Sequence, residues 1–417
     1  MLIRKLSAIA AICGFCSMSS PAMAEELSVK EMLLKQQKQI EALQKKIAQQ
    51  EAVHNEALTH YIKNEVDRAV ANHSGSLLTL GSNVENLTFK GDFRVRFEDR
   101  NRDTGADTDR FRQRVRLGFL WKTTDGWEIG AGLITGSDNP RSGNDTYGST
   151  RAFETGDIRL DYAFAKHTFE SGMTLTLGQM KNPFISSSLL WDSDIRPVGV
   201  ALQNQYDSGV FYTIGGFQVK ERGDENTDAQ LFAGQVGYAA EGLTAALTYY
   251  HFNDASTRET TLVGDATSEN DVNAVSAYVS FAGKTDDFKY KVFGEYTHNL
   301  GSDDGGTTQA GTGNPDSEET AWLIGTKIDI DKFSLGYTYA HFEADAFVGN
   351  LTNTDFGSAI AASDGSNNVE GHIFTLGYKV TKNFSVASKF VYSEAIEDSG
   401  SGNDDGELFQ LDFKYKF

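Results

Sequence analysis

The chain ends Leu408-Phe409-Gln410-Leu411-Asp412-Phe413-Lys414-Tyr415-Lys416-Phe417. Phe409, Leu411, Phe413, Tyr415 and Phe417 fall on one side of an extended chain; Gln410, Asp412, Lys414 and Lys416 fall on the other. Successive side chains of a strand point to opposite faces, so this segment reads as a strand with one apolar and one wet face. The pattern recurs upstream. Phe93, Val95 and Phe97 alternate with Arg94, Arg96 and Glu98, and Phe111, Val115, Leu117 and Phe119 alternate with Arg110, Arg112, Arg114 and Arg116. Working outward, sixteen strands are predicted: 86–98, 109–122, 127–136, 156–166, 173–181, 196–205, 208–220, 229–239, 243–253, 271–282, 288–299, 319–330, 333–343, 370–380, 384–395 and 407–417.

The connections carry a second signal. Short ones (123–126, 206–207, 240–242, 331–332 and 381–383 among them) alternate strictly with longer ones, such as 139–155, 182–195, 254–270, 300–318 and 344–369. An up-and-down barrel sorts its loops this way between two rims. A soluble sandwich would bury its apolar face and would not segregate loop lengths. Here one continuous sheet turns that face outward, and lipid is the simplest partner. Closure then follows, because an open edge in lipid strands N–H and C=O groups without partners. A barrel of sixteen strands is too wide to fill with side chains, so a water channel is expected.

Composition agrees. The 417 residues carry 38 Lys plus Arg against 58 Asp plus Glu, a net charge of −20 that offers no attraction to nucleic acid. Hydrophobic residues make up only 39%, while 41 Gly and 43 Phe or Tyr suit a half-wet sheet. After residue 24 no apolar run approaches the ~20 residues that a membrane helix needs.

The N-terminus reads as three further segments. Arg4 and Lys5, the apolar run Leu6–Phe15 and the small-x-small site Ala22-Met23-Ala24 have the layout of a secretory signal over 1–24. Both cysteines, Cys13 and Cys16, lie inside it, so the remaining chain has no disulfide or thiolate metal site. Residues 25–72 contain no Pro or Gly and are rich in Gln, Lys, Glu, Ala and Leu, which predicts a helix. Leu33, Ile40 and Ile47, with Gln36, Leu43 and Gln50 between them, form a thin heptad seam. We read it as an oligomeric α-helical coiled coil on the periplasmic side; a lone solvated helix is the alternative. Residues 73–85 form a Gly/Ser linker, and 86–417 form the barrel. The fold class expected is therefore all-β: a sixteen-stranded antiparallel transmembrane barrel preceded by a helical coiled coil.

Gly178-Gln179-Met180-Lys181-Asn182-Pro183-Phe184, the stretch Trp191–Asp194 and the terminal Phe417 resemble the bacterial putative-porin family, a relative of the general and phosphate-selective porins. The resemblance implies an outer-membrane homotrimer in contact with lipid and lipopolysaccharide, passing small hydrophilic solutes and ions by diffusion. It implies that the third external loop (182–195) folds into the lumen and narrows it, and that Phe417 is read as an assembly signal. A helix before the barrel is less typical of general porins. A structural envelope tether acting through that helix, with any pore incidental, is the alternative from another class.

Arg110, Arg112, Arg114 and Arg116 share one strand face, with Arg94 and Arg96 on the neighbouring strand. Like charges so placed require water or counter-ions, so they point into the lumen. Two readings stay open: the ladder holds permeating anions, or it pairs with Asp92, Glu98, Asp157 and Asp161 and braces the wall. Asp192 and Asp194 of the third loop are candidates to face it across the pore. The pore-lining candidates are thus Arg94, Arg96, Arg112, Arg114, Arg116, Asp192 and Asp194. Acidic loops around Asp303, Asp304, Asp316, Glu318 and Glu319, and around Glu397, Asp398, Asp404 and Asp405, lack calcium-loop spacing and read as solvated tips. No enzyme, cofactor or metal site is expected. Asp103-Thr104-Gly105 has polar flanks and reads as a hairpin turn, and no Gly-x-Ser-x-Gly, His-Glu-x-x-His or phosphate loop occurs.

Overall fold

A computed structural model describes residues 86–102, 107–221, 228–256, 271–301, 318–360, 367–397 and 405–417, together with nine residues between 35 and 46. The chain divides into two units, Met1–Gly81 and Ser82–Phe417. In the first, the nine described residues are helical and exposed, Ile40 among them. Leu33, Leu43, Ile47 and the expected signal and linker lie outside the described residues, as does Asp103–Gly105.

The second unit is a closed antiparallel barrel of sixteen long strands. They are β1 (Leu87–Arg102), β2 (Thr108–Lys122), β3 (Trp127–Thr135), β4 (Ile158–Thr168), β5 (Thr174–Gln179), β6 (Val198–Gln205), β7 (Val210–Lys220) and β8 (Ala229–Ala240). Then follow β9 (Leu243–Ser256), β10 (Asp271–Lys284), β11 (Lys289–Asn299), β12 (Thr320–Ile330), β13 (Phe333–Phe342), β14 (Val369–Lys379), β15 (Phe384–Glu394) and β16 (Asp405–Lys416). Every strand pairs with its sequence neighbours. β16 closes on β1 from Asp92↔Lys416 to Arg102↔Gly406, so no edge is left open to lipid. All sixteen predicted strands are present. Asp405, read as a loop tip, instead begins β16 opposite Glu394.

The period-two pattern decides what faces where. Phe93, Phe111, Leu117, Val236, Leu247, Ile324 and Leu335 point outward and stay exposed. The residues between them turn inward. The seam carries one special contact: Gly91 and Phe417 exchange backbone hydrogen bonds of 3.0 and 3.1 Å, extending the ladder by one pair. A Cβ at Gly91 would stand 2.3 Å from the Arg116 carbonyl oxygen and 2.6 Å from the Phe417 ring.

Two departures from a plain barrel position the lumen site. β5 and β6 are shorter than expected, because the chain turns at Gly178 and leaves the wall after Gln179. Gly178 has φ +104°, and a Cβ there would lie 2.5 Å from the Ala163 carbonyl. Only glycine makes this inward turn without strain. Outside the predicted strands, Asp145 and Thr146 of the second long loop pair with Gln113 and Arg112 of β2, which extends beyond the short β3.

Candidate functional site

The third long loop (180–197) runs inside the barrel because inward side chains of the wall hold its backbone. Met180 N–H donates to the Pro197 carbonyl (3.0 Å) and closes the root. Gln235 of β8 accepts from Ile185 N–H (3.0 Å) and donates to its carbonyl (2.9 Å). Glu295 of β11 accepts from Ser187 N–H (2.7 Å) and from the Ser276 hydroxyl (2.9 Å). The apolar residues of the loop seal this attachment. Phe184 packs edge-on against Phe217 and Tyr250, and Trp191 stacks on Tyr250 at 6.4 Å.

A second loop enters the same space. The segment 344–360, between β13 and β14, read as an ordinary external loop, is buried over most of its length. Phe347 sits against Tyr250 (5.3 Å) and Phe252 (5.7 Å). The two loops bond to each other: Asp192 N–H donates to Leu351 (2.7 Å), Asn353 N–H to Leu189 (2.9 Å), and the Asn353 amide to the Asp192 carboxylate (3.2 Å). Apolar residues such as Phe347, Val348 and Leu351 were visible in the sequence. Without periodicity they gave no signal of direction.

Opposite these loops stands the arginine wall. Register puts Arg94 across from Arg114 and Arg96 across from Arg112, all facing inward. With the loops they enclose a cavity of about 440 Å³. Eight cationic side chains line it, Arg94, Arg96, Arg112 and Arg114 among them, against three carboxylates, Asp192, Asp194 and Asp355. Arg116 is not in this lining. Asp194 (2.7 Å) and Asp161 (3.6 Å) hold it.

The wall is also braced. Arg96 makes a two-pronged pair with Asp412 (2.6 and 2.9 Å), and Arg114 pairs with Asp92 (2.8 Å). Glu98, almost fully buried, accepts from Arg110 (2.7 Å), Arg112 (3.4 Å) and the Gln410 amide (3.0 Å). Arg94 meets Asn144 of the second long loop. Asp157, exposed, pairs with no ladder arginine. Bracing and a positive surface coexist here, because the arginines outnumber the acids behind them.

The loop carboxylates differ from one another. Burial pushes Asp194 up, but Arg116 and Arg114 outweigh it and hold the group below its ordinary value. Asp355, unremarked in the sequence, pairs with Lys389 (2.9 Å) and lies 3.7 Å from Arg96. Burial opposes its ionisation as well, yet Lys389 and Arg96 leave it strongly lowered. Asp192 goes the other way. Burial, then repulsion from Asp194 and Asp355, raises it to about 7, although its carboxylate accepts from Asp194 N–H (2.8 Å). It lines the same cavity as Arg94, Arg96, Arg112 and Arg114 while tied to Asn353.

A sequence-family model described as "Putative porin" matches residues 100–286. No curated protein matches the chain. Among solved structures, OmpF of Salmonella typhi in complex with daunomycin is 12% identical with a TM-score of 0.52, over 79% of this chain and 97% of that one. OprB of Pseudomonas putida at high pH is 13% identical with a TM-score of 0.54, over 80% and 94%. At such identity these two matches speak to the fold alone. From the end of β1 to the turn after β10, then, the chain matches the putative porin family in sequence, and the whole β-barrel has the porin fold.

Proposed function

We propose that the protein is an outer-membrane porin through which small hydrophilic solutes and ions diffuse passively, with anions preferred. The observation that carries this reading is the 440 Å³ cavity with eight cations against three carboxylates. In this reading the third loop (182–195) narrows the pore, the 344–360 segment narrows it further, and the remaining water path runs along the arginine wall. A charged wall sets selectivity where the passage is narrow, and a guanidinium offers both fixed charge and a donor fork suited to oxyanions. The acidic outer loops would attract cations instead; of their described residues Glu397 and Asp405 are exposed, and exposed charges are screened within ~8 Å at physiological salt.

The test is the zero-current potential of the purified protein in a planar bilayer under a KCl gradient. We expect the sign of anion preference. R112Q together with R114Q should move the potential toward cation preference. Absence of any conductance would overturn the channel reading; an unchanged potential would make the ladder a structural brace only.

The same reading takes 1–24 as a removed signal, 25–72 as a periplasmic coiled coil joining copies into a homotrimer, 73–85 as linker and Phe417 as the assembly signal in an outer membrane bearing lipopolysaccharide. Nine residues between 35 and 46 are helical and exposed, Ile40 among them; the proposal that they associate rests on the heptad seam of the sequence. The tether alternative rests on this helix too. Deleting 25–72 should leave conductance intact if the pore is the function, and should remove the main role if tethering is.

A further inference from the structure

A second cavity, of about 450 Å³, adjoins the arginine-lined one and shares three lining residues with it: Ser188, Asn353 and Lys389. Its chemistry differs. Ser186, Ser187, Thr338 and Thr375 supply hydroxyls, Tyr278 and Phe293 supply rings, and no carboxylate lines it. Its two cations are Lys389 and Lys291. Lys389 is already paired with Asp355. Among the described residues Lys291 has no carboxylate partner. Its ammonium stands 5.7 Å from the centroids of both the Tyr278 and Phe293 rings. The rings are held from behind, since Tyr278 packs with Phe211 and Ala246, against Ile185 of the third loop.

The cations also descend toward the short-turn rim. Arg114 lies eight residues before the end of β2 at Lys122, Lys389 five after the start of β15 at Phe384, and Lys291 two after the start of β11 at Lys289. Along the strands these are about 27, 17 and 7 Å from that rim. A bare inorganic anion gains nothing in the second chamber that the arginines do not already offer. Only a solute with an apolar body gains from the rings, because burying that body removes area from water while the ammonium holds the head. A chamber of this size, mostly apolar with a few placed polar groups, has the character of a small-molecule site.

Resting on the anion-conducting reading above, we propose that this chamber binds organic carboxylates with a ring or branched apolar body, the carboxylate passing Lys389 to Lys291 and the body lying against Phe293 and Tyr278. The full chain in a planar bilayer tests it, with chloride current as the readout and benzoate, acetate and inorganic phosphate as added blockers. Benzoate should reduce the current at a concentration about tenfold below that of acetate, and F293A and K291Q should each weaken the benzoate block about fivefold. Acetate block should change little in F293A. Equal block by benzoate and acetate would overturn the proposal, as would strongest block by phosphate or a benzoate block indifferent to both substitutions. If F293A fails to insert and carries no current, K291Q, which removes the charge and leaves both rings in place, decides. A native channel that conducts chloride without benzoate block refutes this site alone, whereas a native protein without conductance refutes the porin reading.

Discussion

At the scale of single residues, Asp192 is a group of the cavity whose charge changes near neutral pH. With its value raised to about 7, it is neutral at pH 6 and ionised at pH 8. Its charged neighbours Asp194 and Asp355 are lowered and stay ionised over that range. As pH falls from 8 to 6 the cavity therefore loses one negative charge, and anion preference should rise. D192N should show the high preference at both values, measured as zero-current potential. A pH step that persists in D192N would point instead to Glu318, which burial and Glu397, Asp345 and Glu343 also raise to about 7. The stability sign follows from the same shift. A carboxyl raised on folding favours the protonated native state, so its contribution is present below about pH 4 and fades as pH rises through 7. Gly91 makes a different demand. Any side chain there meets the Arg116 carbonyl and the Phe417 ring at the closing seam. G91V should cost about 1–3 kcal/mol through overpacking and lower the outer-membrane yield. Deleting Phe417 should reduce insertion too, by removing the last ladder pair and, in the proposed reading, the assembly signal. Normal yields of both variants would show that the seam tolerates opening.

At the scale of elements, the two inward loops depend on each other. Phe347 is fully buried, and its ring contacts Tyr250 and Phe252 on β9. Truncating a buried Phe to Ala costs roughly 3–5 kcal/mol. That is more than a loop held by a few backbone hydrogen bonds spares, so F347A should release the 344–360 segment. Protease added from outside should then cut within it, and single-channel conductance should rise by roughly a factor of two as the open cross-section grows. If F347A resists protease and conducts as the native protein does, the backbone bonds to Leu189 and Asp192 suffice to hold the loop. The strands themselves need no such help, because each is fixed on both sides by neighbours and its register is set by the inward–outward alternation.

At the scale of the whole molecule, the barrel unit satisfies its backbone by closure, while the N-terminal segment has a helical pattern too thin to stand alone. Its seam of Leu33, Ile40, Leu43 and Ile47 includes Gln36 and Gln50, which predicts modest self-affinity. A peptide of residues 25–72 should gain helicity, read by circular dichroism, as its concentration rises into the millimolar range. Helicity independent of concentration would leave the barrel untouched but remove the argument for a helical trimer.

The strands, their number, their facing and the alternation of long and short connections were legible from the residues alone, because strand periodicity is a local property that survives without neighbours. It also put Arg94, Arg96, Arg112 and Arg114 together, since adjacent strands joined by one loop come into register. The loops, by contrast, take their places only through contacts across the barrel. Nothing local says whether an aperiodic apolar stretch such as Phe347–Leu351 turns into the lumen; the burial available against Tyr250 and Phe252 across the barrel decides that. The sequence likewise left open that Asp192 would be buried and tied to Asn353 while lining the ladder's cavity, that Asp355 would stand beside Lys389 and Arg96, and that Lys291 would stand over two rings. The first two depend on residues more than a hundred positions apart, Asp192 with Asn353 and Asp355 with Arg96, and the third on the register of the β10–β11 hairpin.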